Sequence, residues 1–564
     1  MTLIPAMNAL LKINPENRGL VGYGIRIDIL QRAYEKSLWL VFHLPLVGIL
    51  LSVGLPICGF VVAKNLPKQF FPRSDRNQIQ IEVERPARDS IAAVKGSVDA
   101  IRKVVSENKN VQHQYWFLGG SAPTFYYNVV PRRQGTPFYA QAIVDVRKGL
   151  ATDAVVSELQ DAIDGQILDS RVIVRQLEQG PPFDAPIEIR VVGPDLAVLQ
   201  KIGSVLRLLL SQTANVIHTR SDLEETIPKL TLDFDRDRTK KSGLNETQIA
   251  AQLFTTLESA PAGNIYDGNE ELPIVVKLDF DGESKLDLLS ALQLTSQPRR
   301  PSPIGVPPGQ AVTRPVHPTV ASLADFKLDS DVGAVVRIDG RRVNEVKAYI
   351  RAGVLPSVVL DEFNRRLASA DFDLPPGYEL EWGGVSEQRH HAVKSLIANS
   401  VVLFALMVLT LVVSFRSFRC AMIVAAVGGM SVGLGPLALS WFGFPFGFMS
   451  IVGTMGLVGV AINDSIVVLA AIRSDKAARG GNVAAIVKVV SSCTRHIFAT
   501  TLTTMVGFTP LLLDGGRFWP PLAITIAGGV GGATILALYF VPSMHLLLHP
   551  ARDGKGDTTE METE

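Results

Sequence analysis

The stretch GLVGVAINDSIVVLAAI, residues 456–472, is apolar enough to lie in a bilayer, yet Asn463 and Asp464 stand side by side in its middle. A carboxylate at the centre of a membrane helix costs roughly 2.5–3.5 kcal/mol on insertion scales, and intramembrane acids mark proton relays, ion paths or counter-ions. Working outward, six segments approach the about 20 apolar residues that a span requires: 38–63, 396–415, 419–441, 449–472, 496–514 and 521–548. Apart from Asp514, which closes the fifth, Asp464 is the only acidic residue in them. It stands 9 residues before Arg473, roughly 13 Å deep at about 1.5 Å per residue.

The bulk numbers agree with a polytopic membrane protein that carries a large polar part. The chain has 564 residues, 47% of them hydrophobic, with a mean hydropathy of +0.23. Its net charge of +1 points to no electrostatic partner and gives no sign of nucleic-acid binding. The three cysteines, Cys58, Cys420 and Cys493, lie in or beside apolar segments and indicate no disulfide framework. The opening MTLIPAMNALLKI has no basic n-region and no small-residue cleavage site of a secretory signal.

Loop charge predicts orientation. Lys12, Arg18, Arg26, Arg32 and Lys36 precede the first span, Arg416 and Arg419 follow the second, and Arg473, Lys476, Arg479, Lys488 and Arg495 follow the fourth. Arg552 and Lys555 lie in the tail, whereas FGFPFGF at 442–448 is uncharged and DGGR at 514–517 carries one charge of each sign. The positive-inside rule then puts both termini in the cytoplasm and 64–395 outside, which in a bacterium is the periplasm. Gly429 and Gly433, Gly453, Gly456 and Gly459, and Gly528 and Gly532 mark faces on which helix backbones approach closely.

Region 64–395 alternates strand and helix patterns. Strands are expected at 78–86, 140–148, 171–177, 187–193, 229–235, 272–279, 334–342, 344–352 and 378–384. Helices are expected at 89–107, 152–164, 195–212, 246–258 and 355–370, and the Pro-rich 296–309 reads as a loop. Repeated βαβ units of this length predict small ferredoxin-like sandwiches. YWFLGG at 115–120 and FYY at 125–127 read as core aromatics with an apolar route as the alternative.

NLPKQFFPRSDRNQIQIEVERP, VVRIDGRRVNEVKAYI, LPPGYELEWGGVSEQ, GVAINDSIVVL, CTRHIFATTLTTMVGFTPLLL and FWPPLAITIAGGVGGATILALYFVPSMHLLL occur in that order. In these strings the chain resembles the C-terminal half of a resistance-nodulation-division (RND) efflux transporter, in its hydrophobe/amphiphile efflux branch. The resemblance implies half of a twelve-helix membrane bundle with a periplasmic α+β domain of ferredoxin-like subdomains. Its parts are a cytoplasmic segment at 1–37, one transmembrane helix at 38–63, a porter and docking domain at 64–395, five helices at 396–548 and a cytoplasmic tail at 549–564. TLIPAMNALLK at 2–12 also resembles YFVPSMHLLLH at 539–549, with Pro5 over Pro542 and Met7 over Met544. Such a repeat is expected where a first half finishes.

The implied activity is proton-driven export of hydrophobic or amphiphilic compounds across the inner membrane, by a secondary transporter and not an enzyme, with no cofactor. The implied partners are the N-terminal half, two further copies in a trimer, a periplasmic adaptor protein and an outer-membrane channel. Carried over by position, Asn463 and Asp464 match the relay on the family's tenth helix, and Arg495 with Thr500 or Thr501 match those on the eleventh. Many efflux members carry Lys where Asn463 stands, and the main Asp pair of the family belongs to the first half. Physically, a nearby Arg495 would oppose the effect of burial on Asp464.

Three other readings bear on function. GMSVG at 429–433 fits the pattern of a nucleophile elbow but lies within a span, and no Walker A sequence occurs. Heavy-metal export belongs to another RND branch, and soft metals want Cys and Met. Region 64–395 contains neither, and its His113, His218, His317, His390 and His391 are scattered. A non-transporting remnant of a split gene is the remaining alternative. The topology is directly testable: a reporter fused near residue 250 is expected in the periplasm and one after 555 in the cytoplasm, and a cytoplasmic signal at 250 would overturn the map.

Overall fold

A computed structural model describes residues 28–549, apart from 128, 150, 181, 225, 259, 269, 277–284, 296–316 and 514–515. The repeat at 2–12, the Pro-rich loop at 296–309 and the tail beyond 549 lie outside the described residues. The chain divides into two units, Leu223–Val335 and the remainder.

Among the described residues, six helices are long and apolar enough to cross a membrane: Pro45–Asn65, Gly384–Phe415, Phe418–Phe442, Phe448–Ser474, Val483–Leu513 and Pro520–Leu548. They are called the first to sixth spans below. The first expected segment, 38–63, is broken at Leu44, with a separate helix Asp28–His43 before it. Pro45 fixes its own φ and disfavours helical geometry at the residue before it. The second span starts at Gly384 and the fifth at Val483, well before the expected 396 and 496. A hydropathy window finds only the apolar part of a helix, so polar turns that continue it escape notice. Arg495 therefore lies inside the fifth helix and not at its mouth. The sixth span widens to a π-turn at Leu536–Phe540. Pro542 there has no N–H to give to the carbonyl of Leu538.

The first and third spans touch backbone to backbone. A Cβ built on Gly59 would fall 1.8 Å from the Gly433 carbonyl oxygen, and one on Gly433 2.4 Å from the Pro56 carbonyl oxygen. Gly453, Gly528 and Gly532 also sit against the sixth or third span, whereas Gly429 and Gly459 meet nothing within 4 Å. Those two expected packing glycines face outward.

The polar region of the larger unit holds two copies of one βαββαβ motif. In the first, β1 (Gln78–Glu84), helix Ile91–Glu107, β2 (Val111–Leu118), β3 (Tyr139–Val146), helix Thr152–Asp164 and β4 (Arg171–Gln176) give an antiparallel sheet of order β2-β3-β1-β4. Ile79, Ile81 and Val83 of β1 pack on Val94, Val98 and Ile101 of one helix and Leu159 and Ile163 of the other. The second copy begins with β5 (Ile187–Val192), helix Leu196–Ser211 and β6 (Val216–Ser221). The smaller unit then interrupts the sequence, with β7 (Thr226–Phe234) paired to β10 (Ala324–Val332) and a hairpin of β8 (Ala260–Asp267) and β9 (Glu270–Val276). The second copy resumes with the short β11 (Arg337–Ile338), β12 (Arg341–Ile350), helix Pro356–Ser369 and β13 (Glu379–Trp382). Its order, β6-β12-β5-β13, repeats the first. The expected strands at 334–342 and 344–352 are one hairpin turning at Asp339-Gly340, both with positive φ, the backbone that an Asp-Gly turn adopts.

Gly59→Val should push the first span off the third. Overpacking of this kind costs about 1–3 kcal/mol, so the melting temperature of the purified chain in detergent should fall, while Gly429→Val, on an open face, should leave it unchanged.

Candidate functional site

Asp464 is placed by the fourth span, whose buried face carries Leu457, Ala461, Asp464, Ser465, Val468 and Leu469. Asp464 is only 2% exposed. Among the described residues one side chain comes within hydrogen-bond distance of it: Thr500 of the fifth span, with Oγ1 3.4 Å from Oδ1. The same hydroxyl lies 2.7 Å from the Ile497 carbonyl oxygen. A hydroxyl has a single proton, and the shorter contact takes it. Asp464 Oδ2 is buried without any hydrogen-bond partner. His496, one helical turn before Thr500, lies within electrostatic reach of the carboxyl.

The other expected relay residues are elsewhere. Asn463 is exposed, one step round the helix from Asp464 and one turn from the outward-facing Gly459. Arg495 is exposed and forms no ion pair with Asp464; at about 100° per residue, five residues set it well round the helix from Thr500. Thr501 is buried and bonds Thr534 of the sixth span at 2.6 Å, tying two helices together. Only Thr500 is brought to Asp464. His496 escaped the sequence reading, although its i,i+4 spacing from Thr500 puts both on one face. Ser431 of GMSVG donates to the Gly428 carbonyl at 2.7 Å inside the third span, an intrahelical bond with no base beside it.

A second charged cluster joins the two βαββαβ copies. Glu84 of β1 faces Arg171 of β4 at 2.5 Å, Arg133 at 3.4 Å and Arg220 of β6 at 3.6 Å. Lys347 of β12 faces Asp184 in the inter-copy linker at 3.1 Å, Asp222 at 3.3 Å and Glu345 at 3.0 Å. Burial opposes the charge of Asp184, yet Lys347 and Arg175 outweigh it and hold the carboxyl below the usual carboxylate range. Glu84 is likewise pressed by burial and held low by Arg171, Arg220 and Arg133. Nearer the membrane helices, the Arg517 backbone N–H donates to Asp75 at 2.9 Å, and its guanidinium pairs with Asp153 at the start of helix Thr152–Asp164.

Six apolar helices, the first separated from the rest by paired βαββαβ motifs, define the fold of an RND efflux pump. A solved heavy metal efflux pump superposes with a TM-score of 0.73 at 19% identity, over 97% of this chain and 53% of that one. The chain belongs to the AcrB/AcrD/AcrF family of RND transporters, which matches residues 1–549. Among relatives, the nickel and cobalt resistance protein CnrA of Cupriavidus metallidurans is 27% identical over 64% of this chain and 32% of its own length. The multidrug resistance protein MdtC of Cronobacter sakazakii is 24% identical over 98% of this chain and 52% of its own length. The chain thus spans about a third to a half of the curated relatives it matches.

Removing one partner of a buried charge pair leaves the others uncompensated and costs about 3–5 kcal/mol. Lys347→Ala should therefore destabilise the larger unit strongly. Because Asp184 and Glu84 have lowered folded values, their contribution is present above the ordinary carboxylate range near about 4 and fades as pH falls through the folded values. Acid melting of the wild type should show that loss, and a melting temperature insensitive to both acid and Lys347→Ala would contradict the cluster's role.

Proposed function

We propose that the chain forms the C-terminal half of a proton-driven inner-membrane pump that exports hydrophobic or amphiphilic compounds. The observation that carries this reading is Asp464: a carboxylate buried in a span, loosely held by Thr500, with one oxygen free to take a proton. An ionised carboxylate only accepts hydrogen bonds, whereas its protonated form also donates one, so each proton gained or lost changes what Asp464 asks of its neighbours. Thr500 is the positioning partner. His496, not Arg495, is the titratable group within electrostatic reach of Asp464, while Asn463 serves on the outward face and Thr501 holds the fifth span to the sixth.

Several features support the remaining parts of the proposal. The alternating loop charges support cytoplasmic termini and a periplasmic 64–395. Gly459 and Asn463, small and polar on an open face of the fourth span, support docking of a first-half bundle there. A trimer, an adaptor and an outer-membrane channel are the assembly such pumps use. Arg517 and its partners Asp75 and Asp153 join the loop before the sixth span to the first βαββαβ copy, which supports movement passing from membrane to porter.

Metal export is favoured as a second reading by the names of CnrA and of the heavy metal efflux pump. Against it, 64–395 contains no Met or Cys, the ligands that soft metals want.

The test is dye and drug efflux in a host stripped of its own pumps. The chain produced alone should give no efflux, and co-production with a six-span first-half polypeptide should restore it. Asp464→Asn should then abolish transport at unchanged membrane protein levels, since an amide carries no proton. Full transport by Asp464→Asn would sink the relay; absence of transport with any first half would favour the remnant.

A further inference from the structure

The larger unit contains a cavity of about 270 Å³ that the proton site does not use. Its walls come from four places: the segment after the first span, the linker between the βαββαβ copies, the start of helix Pro356–Ser369, and the first turns of the second span. Phe70, Phe71, Phe183 and Leu360 supply an apolar side. Its size is at the small end of the about 300–1,000 Å³ typical of small-molecule sites, enough for one headgroup and a short apolar body.

Two polar groups in this wall are left over. Arg389 Nε and Ser357 Oγ are both buried without a hydrogen-bond partner. Among the described residues no carboxylate forms an ion pair with Arg389, which lies seven residues before the apolar stretch that starts at 396. The carboxylates of the wall, Glu178 and Asp361, are outnumbered by Lys68, Arg73 and Arg389, and the cations that act on Glu178 are Arg73 and Arg175. Arg389 is half-buried with its Nε enclosed and unsatisfied, an arrangement that is costly without a partner, and the planar guanidinium fork matches a carboxylate or phosphate with two parallel hydrogen bonds. Ser357 stands in the first turn of a helix with no side-chain cap, where backbone N–H groups add to the pull on an anion.

We propose that this cavity binds an amphiphile with an anionic head, Arg389 and Ser357 taking the head and Phe70, Phe71, Phe183 and Leu360 the apolar body. That the bound molecule is cargo rests on the export reading above; the binding itself does not. A single scaffold then selects by charge at the head and tolerates variety in the body, because apolar contact is non-directional whereas the guanidinium fork is not.

The test is equilibrium binding of radiolabelled decanoate to the full chain in phosphatidylcholine nanodiscs, which needs no transport. Decanoate should bind, and decyltrimethylammonium should fail to displace it. Arg389→Leu should weaken binding by about tenfold or more, as expected for loss of a charge-assisted pair, with Arg389→Lys retaining part of the affinity. Ser357→Ala should weaken it a few-fold. Competition by short-chain phosphatidylglycerol as well would support the same head chemistry, and whichever anion displaces at the lower concentration names the source. Unchanged decanoate binding by Arg389→Leu, or equal displacement by the cationic amphiphile, would overturn the proposal. If Arg389→Leu melts early, Ser357→Ala and the cation competition decide it.

Discussion

A carboxylate set in hydrocarbon must be hydrogen-bonded, paired with a cation or protonated. Asp464 meets that requirement barely. Among the described residues its one side-chain hydrogen-bond contact is a 3.4 Å approach from a hydroxyl that already bonds its own helix at 2.7 Å. Among the described residues no cation forms an ion pair with it. Such a group is a poor structural element, since a helix of this apolarity forms and inserts without it. Its presence fits the proton relay proposed above. Arrangement around it follows from that constraint: the fourth and fifth spans must stay close enough for Thr500 to reach, and Thr501 with Thr534 fastens the fifth to the sixth.

Tight backbone contacts give the frame against which a local change is felt. Gly59 and Gly433 leave no room between the first and third spans, and close-packed interiors transmit displacement instead of absorbing it. At the polar end, Arg517 links the loop before the sixth span to Asp75 and Asp153, while Lys347 and Glu84 lock the two βαββαβ copies to each other and to the linker. The same small fold is used twice, and the second copy tolerates a whole inserted unit because hairpin connections are surface loops.

Much of the fold was legible in the sequence. Apolar runs gave six spans, and β/α alternation gave both ferredoxin-like copies, with helix 152–164 matching its expected bounds. Strands β2, β6, β8 and β10 were not expected, because edge and half-exposed strands such as VQHQYWFL lack a clear alternation of apolar and polar positions. The candidate site was legible at Asp464 and Thr500 but not in its surroundings. Linear spacing put Arg495 near the acid, whereas on the fifth helix, longer than its apolar part, Arg495 forms no ion pair with it and His496 is the group within electrostatic reach. Arg389 and Ser357 left no sequence signal at all: their place in one cavity wall depends on four distant segments meeting.

The most direct test of the central claim is infrared difference spectroscopy of the carboxyl C=O stretch in the assembled two-half transporter, titrated with solvent pH. The account predicts a protonated-carboxyl band whose amplitude changes with pH and which is missing from Asp464→Asn. A spectrum in which Asp464→Asn removes no titrating band would contradict it.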